Sequence, residues 1–364
     1  MKKFLMLISL LLFLFLIGCD SDENPVDDEP TDIPPDPSGV TVPTPVINNI
    51  QPTSNFAKSG NNPNRVLMNV TGMINPVTNQ PIQLSYNPNN PSGSNIFVTE
   101  DNVVKGLKVS KVSSGNILQA DVVFTVDNSG SMSQEADSVA AGIIKFANFL
   151  TDSGLDVKFG IVGYSSNVNG GINFTSATTI ETYLNRSSGT SRTRGFSGAD
   201  SAALETASFT FGGGSGENGV EGVLFADSNF TWRSSAQRVF INFTDEPTQS
   251  SSGDTPVWNT AHMCAEINGR ATVHTVFSND STAYSWTANR ERPWDMSTCT
   301  GGTVKFIDTQ ASGLDLRDLP VAGALANSYL VEFLSSNGNA AHNVVITVKE
   351  SSADGQRVYT NLMY

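Results

Sequence analysis

Asp121-Val122-Val123-Phe124-Thr125-Val126, continued by Asp127-Asn128-Ser129-Gly130-Ser131-Met132, is the stretch on which the reading of this chain turns. The first half is almost wholly apolar and β-branched, with none of the alternation of a half-exposed strand, so it reads as a strand buried on both faces, as in a parallel sheet. The second half is short, polar and turn-forming. Beyond it an apolar stripe at Val139, Ile143, Phe146, Ala147 and Leu150 recurs at helical spacing. Asp152-Ser153-Gly154 then reads as a helix stop, with Gly154 as the left-handed residue.

Strand, polar loop and amphipathic helix together make the opening unit of an α/β fold. The pattern continues downstream. Segments 157–164, 238–243, 272–277 and 304–307 read as further strands, and 178–184, 217–226, 257–267 and 314–327 as helices. This alternation predicts a doubly wound, Rossmann-like domain with a mostly parallel sheet over residues 120–327. The flanks have another texture. Short alternating runs at 66–70, 82–84, 96–98 and 103–109 precede the domain, and Tyr329/Val331/Phe333, Val344/Ile346/Val348 and Val358/Thr360 follow it. Neither group closes a two-sheet structure alone. Residues 46–119 and 328–364 are therefore expected to form one all-β, immunoglobulin-like sandwich, split in sequence by the α/β insert.

Ligands of open α/β sheets bind at the carboxyl ends of the strands, where the strand order reverses, and the D-x-S-x-S loop at 127–131 falls at such an end. A carboxylate and two hydroxyls are hard oxygen donors of the kind that suits Mg²⁺, and Gly130 is expected to let the loop turn sharply. Asp127-Asn128-Ser129-Gly130-Ser131-Met132 resembles the metal-ion-dependent adhesion site of von Willebrand factor A domains, with the strand–helix order agreeing over roughly 200 residues. Phe97-Val98-Thr99-Glu100-Asp101-Asn102 also looks like the strand and turn that lead into many bacterial domains of this kind.

The resemblance implies a divalent ion, Mg²⁺ or else Mn²⁺ or Ca²⁺. Asp127, Ser129 and Ser131 would hold it directly, and Asp245, ending the strand Phe240-Ile241-Asn242-Phe243-Thr244, directly or through water. The second loop, Gly212 to Gly219, departs from the usual threonine pattern and resembles the integrin β-subunit variant, which puts Glu217 beside the ion. Thr190, Thr193 and Thr210 remain candidates for the usual threonine, and Glu217 as a helix-start residue is the plainer alternative. Gln134 and Glu135 stand where integrin β subunits carry ligands for an adjacent ion, so a second ion is not expected. Loops at 165–175, 187–199 and 247–256 are expected to surround this face, and the Ser-, Gly- and Thr-rich residues 187–201 to form a mobile rim.

The amino terminus sets the address. Lys2 and Lys3 precede an apolar run from Phe4 to Ile17, too short to span a bilayer comfortably and suited to a secretory signal over residues 1–19. Its end, Leu16-Ile17-Gly18-Cys19, resembles the lipobox of bacterial lipoproteins. That resemblance implies acylation of Cys19 and a lipid-bilayer anchor in the cell envelope, at the outer membrane or cell surface rather than the inner membrane. Residues 20–45 carry seven prolines and only negative charges, and are expected to be an extended, disordered tether. The two remaining cysteines, Cys264 and Cys299, are expected to pair in an oxidising compartment.

With 21 Lys+Arg against 35 Asp+Glu, the formal charge of −14 argues against nucleic-acid binding. No nucleophile elbow, zincin motif or P-loop occurs, and His262, His274 and His342 have no metal-ligand spacing, so a hydrolase is rejected. The expected function is non-enzymatic. A membrane-anchored A domain offers the open coordination position of its ion to an Asp or Glu carboxylate of a protein partner. The alternative is a structural or assembly component of an envelope or surface complex, with the ion mainly structural.

Overall fold

The computed structural model describes residues 32–111, 119–196, 201–213, 216–234, 236–249 and 257–364. Two four-stranded antiparallel sheets come from the two ends of the chain. One runs Ser54–Lys58, Arg65–Val70, Tyr329–Leu334, Lys108–Lys111 in spatial order, the other Asp354–Leu362, His342–Lys349, Ile96–Glu100, Val103–Val104. Met68, Val98, Val331, Phe333 and Ile346 are fully buried in the shared core. The split sandwich is thus present, and its register explains how it accepts an insert. The strand that leaves it and the strand that returns are neighbours, with Tyr329 opposite Lys111, so the insert begins and ends at adjacent points.

Three details of the flanks differ from the sequence reading. Segment 82–84 is not a strand, although Ile82 and Leu84 are buried, and Ser54–Lys58 takes an edge position instead. Segment 103–109 divides between the two sheets. After Glu100 a tight turn with Asp101 and Asn102 both at positive φ closes the short hairpin to Val103–Val104, the I′-type geometry that suits the strand twist. The tether reading fails from residue 33 onward. Ile33 is buried, and Asp36 accepts hydrogen bonds from Lys105 Nζ at 2.6 Å and from the Gly106 amide at 2.9 Å. The amides of Val46, Ile47 and Asn48 all donate to the Asp354 carboxylate. Extended, proline-rich backbone needs no partner strand, so a strap pinned by side chains has the same composition as a free spacer. Residues 1–31, with the expected signal peptide and Cys19, lie outside the described residues.

The insert contains a six-stranded sheet in the order Val304–Phe306, Thr272–Phe277, Gln237–Thr244, Gln119–Asp127, Asp156–Tyr164, Val168–Thr175, parallel except for the last strand. One face is covered by helices Ala136–Asp152 and Ala177–Leu184, the other by Gly219–Asn229, Thr260–Glu266 and Asp295–Thr300. Gly154, at φ 77°, ends the first helix as expected. Segment 165–175, expected as a loop over the site, is largely the antiparallel edge strand Val168–Thr175, which Gly170 and Gly171 had masked. Cys264 and Cys299 are joined, tying two neighbouring helices on one face.

Where the sandwich meets the insert, a cavity of about 110 Å³ is lined by Thr53, Thr71, Gln237, Thr272, His274 and Thr303, among others. The His274 ring is buried, with Nδ1 2.9 Å from Thr303 Oγ1, and burial pushes its pKa down to about 4. Between pH 6.5 and 4 the unfolded chain takes up a proton here that the folded chain refuses. Stability should therefore fall with pH across this window, by about 3 kcal/mol at its foot. Chemical denaturation from pH 7 to 4 should show a shallower decline for His274→Gln; parallel curves would show that the ring carries no such penalty.

Candidate functional site

Strand Gln119–Asp127 lies between Gln237–Thr244 on one side and Asp156–Tyr164 on the other. The chain moves outward in one direction from it and then returns to build in the other, so the strand order reverses at its carboxyl end. There the 127–131 loop and the turn after Thr244 face each other. Asp127 is fully buried. Its Oδ1 accepts from the Ser129 amide at 3.0 Å and its Oδ2 from Thr244 Oγ1 at 2.8 Å. Ser129 Oγ lies 2.8 Å from Ser131 Oγ, which donates to Asp245 Oδ1 at 3.0 Å. Four residues from two loops thus present a contiguous row of oxygens.

These separations fit a small cation. An octahedral ion with metal–oxygen distances near 2.1 Å has neighbouring ligand oxygens about 3 Å apart. The donors, carboxylate and hydroxyl only, are those Mg²⁺ and Ca²⁺ prefer. Electrostatics point the same way. Burial pushes the Asp127 carboxyl up to about 7 despite bonds from Ser129 and Thr244, and the neighbouring Asp245 adds repulsion. Asp245 is raised by burial and by Glu217, and Glu246 by burial, Glu217 and Asp245. The carboxylates repel one another across a site that a cation would neutralise.

The second loop is brought to the same end of the sheet, but Glu217 faces its neighbour rather than the oxygen row. Its Oε2 accepts from Gln249 Nε2 at 3.0 Å, and the same nitrogen donates to Glu246 Oε2 at 2.9 Å. The Gln249 amide also donates to the Glu217 carbonyl, so the second and third loops are stapled together. Gly216 makes this approach possible. Its φ is 147°, and a Cβ there would stand 2.7 Å from the Gln249 side chain. Among the described residues no three Asp, Glu, His or Cys side chains converge as a metal-binding group. The oxygen row itself contributes only two carboxylates, with hydroxyls between them.

Asn218, not Glu217, caps helix Gly219–Asn229, accepting from the Val220 amide and donating to the Gln249 and Trp258 carbonyls. Of the candidate threonines, Thr193 is buried, Thr190 is exposed, and Thr210 Oγ1 donates to the Ala207 carbonyl. Glu135 is buried, and its Oε1 accepts from Ser278 Oγ at 3.1 Å. Gly130 corrects another expectation. At φ −65° and ψ −32° it occupies a conformation open to any residue, and a Cβ would meet nothing within 4 Å.

Sequence reading passed over several residues that build this end of the sheet. Thr244 holds Asp127, and its place just before Asp245 was the available signal. Tyr164, fully buried, donates to Asn242 Oδ1 at 2.9 Å, and Thr125 Oγ1 donates to the same atom at 2.8 Å. Asn128 and Asn169 exchange amide hydrogen bonds across the loop base. Part of the expected rim is anchored by specific bonds. Arg192 binds the Leu184 carbonyl and Asp137, Arg186 binds the carbonyls of Arg194 and Gly195, and Phe196 is fully buried. Residues 197–200 and 250–256, parts of two expected rim loops, lie outside the described residues.

Residues 121–262 match the family model of the von Willebrand factor type A domain. No curated protein matches the chain. Among solved structures the chain is similar to the pilus adhesin SpaC from Lactobacillus rhamnosus GG in its open conformation, at 13% identity and a TM-score of 0.39. The similarity covers 85% of this chain and 47% of the adhesin, so the chain spans about half of that protein's length.

Proposed function

Since residues 121–262 form a von Willebrand factor type A domain, we propose that the protein is a non-enzymatic, lipid-anchored envelope protein that binds an acidic group of a protein partner through a divalent ion. The observation that carries this reading is the oxygen row of Asp127, Ser129, Ser131 and Asp245, spaced 2.8 and 3.0 Å along its hydroxyl part. Asp127, Ser129 and Ser131 would hold Mg²⁺, with Asp245 beside them and Glu217 contributing charge from the second loop. A bound ion would supply a positive centre that attracts a carboxylate of the partner.

The chain's own residues do the positioning. Thr244 and the Ser129 amide fix the Asp127 carboxylate, and Gln249 keeps the second loop against the third. Hydroxyl ligands are neutral, which leaves the ion more residual positive charge than a third carboxylate would. The lipobox-like end at Cys19 supports an anchor that holds this domain at the membrane. Among the described residues no helix is long and apolar enough to cross a bilayer.

Immobilised peptides carrying a single Asp or Glu should retain the chain in millimolar Mg²⁺ and release it in EDTA. Their amide analogues, with Asn or Gln in that place, should not retain it. Equal retention of acidic and amide peptides would reject carboxylate recognition.

A further inference from the structure

We propose that Arg194 forms a second acid-binding subsite beside the metal loop, so that the partner presents two acidic side chains spaced i and i+2 on an extended segment. The inference rests on the carboxylate-binding reading above. A recess of about 460 Å³ opens next to the oxygen row, lined by Asn128, Ser129, Gly130, Ser165, Asn169 and Arg194. That volume suits a few side chains of a peptide. Ser129 belongs both to the row and to the recess wall, so a segment reaching the ion passes this cavity.

Arg194 is the one charged residue among those six, and the others are neutral amides, hydroxyls and backbone. The amides of Asn128 and Asn169 are committed to each other. Three arginines occupy this loop, and they divide the work. Arg192 pairs with Asp137 at 3.0 Å, and Arg186 stacks 3.8 Å over the Tyr183 ring while binding the carbonyls of Arg194 and Gly195. Arg194 is exposed, and among the described residues its guanidinium meets no carboxylate. Its backbone is nevertheless held, since its own carbonyl accepts from Arg186 and the next one also from Tyr183 OH. A guanidinium that meets no carboxylate among the described residues, carried on a held backbone at the edge of the recess, offers a positive site to an acidic side chain.

The spacing follows from strand geometry. On an extended peptide, side chains i and i+2 share a face and lie about 7 Å apart, while i and i+1 point to opposite faces. One carboxylate would reach the ion and the next on that face would reach the planar fork of Arg194, which matches a carboxylate bidentately.

Binding is read by fluorescence anisotropy of the full chain in Mg²⁺ with three labelled peptides. These are Ser-Asp-Thr-Asp-Ser, its single-acid analogue Ser-Asp-Thr-Asn-Ser, and the adjacent-acid isomer Ser-Asp-Asp-Thr-Ser. The alternating di-acid should bind about tenfold or more tightly than either other peptide, as expected for one added charge-assisted bond. In Arg194→Gln the three should fall within a factor of two of one another, and Arg194→Lys should restore part of the preference. Persistence of the preference in Arg194→Gln overturns the subsite while leaving metal-dependent binding intact. An adjacent-acid peptide that binds as well as the alternating one rejects the i, i+2 geometry. Binding of all three that is unaffected by EDTA overturns the metal reading itself, and this inference with it.

Discussion

Mg²⁺ at a hundredfold excess over its dissociation constant should stabilise the chain by about 2.7 kcal/mol, or roughly 5 °C in a thermal melt, and Asp127→Asn should abolish the increment. The substitution suits the question because it keeps the shape. An amide oxygen can still accept from the Ser129 amide, and the amide nitrogen can donate to Thr244 Oγ1, so the metal-free fold is preserved. What disappears is the one fully buried negative charge in the oxygen row. In the wild-type chain that charge stands against Asp245, and Asp245 against Glu217, with nothing in the row to neutralise them. The gain should follow the ion rather than ionic strength, so matched NaCl serves as the control. Equal stabilisation of both proteins, or none in the wild type with Mg²⁺, Mn²⁺ or Ca²⁺, would remove the ion from this site. If EDTA unfolds the chain outright while acidic peptides still bind the remaining folded fraction, the ion is structural and the assembly reading takes precedence.

Arg233→Ala should cost about 3–5 kcal/mol, because it strands a buried carboxylate. Asp121 begins the apolar run that identified the central strand, yet it is fully buried. Its carboxylate accepts from Arg233 Nε at 2.7 Å and from the Arg233 amide at 2.9 Å. The same guanidinium reaches Asp156 Oδ1 at 2.8 Å and the carbonyls of Ala120 and Asp156. Arg233 thereby locks the amino-terminal ends of strands Gln119–Asp127 and Asp156–Tyr164 to the segment that enters Gln237–Thr244. Burial raises the Asp121 pKa even with Arg233 in place, so without it the penalty for the charge grows. The double variant Asp121→Asn with Arg233→Met should lose less than Arg233→Ala alone, since no buried charge is then left unpaired. Urea denaturation of the three proteins decides it, and a double variant at least as unstable as Arg233→Ala would refute the account. This clamp sits at the end of the sheet opposite the oxygen row, so Mg²⁺ stabilisation should survive in whatever fraction folds.

Local sequence carried the D-x-S-x-S loop and the alternation of strands with helices because both are short-range. An apolar strand ending in Asp127 brings Ser129 and Ser131 with it through a few bonds of backbone, and Asp245 follows its strand in the same way. The split sandwich was legible because neither flank has enough strands to bury its own faces. Glycines hid the edge strand Val168–Thr175 and prolines disguised the 33–48 strap, since both residue types also signal loops. The role of Gly130 was over-read from its type alone, while Gly216 has the strained backbone that only its φ reveals.

The chain's own sequence therefore determined the fold class, the mostly parallel sheet and the oxygens of the candidate site, each a consequence of periodicity or of residues that directly follow a strand. Tertiary structure alone decided where Glu217 points, which arginine of the 186–194 loop meets no carboxylate among the described residues, and how Asp121 is neutralised. Each of those outcomes depends on partners far away in the chain: Gln249 for Glu217, Asp137 for Arg192, Arg233 for Asp121. Side-chain charge is written in the sequence, but the pairing of charges is settled only when packing removes water and leaves each buried group with the partners within its reach.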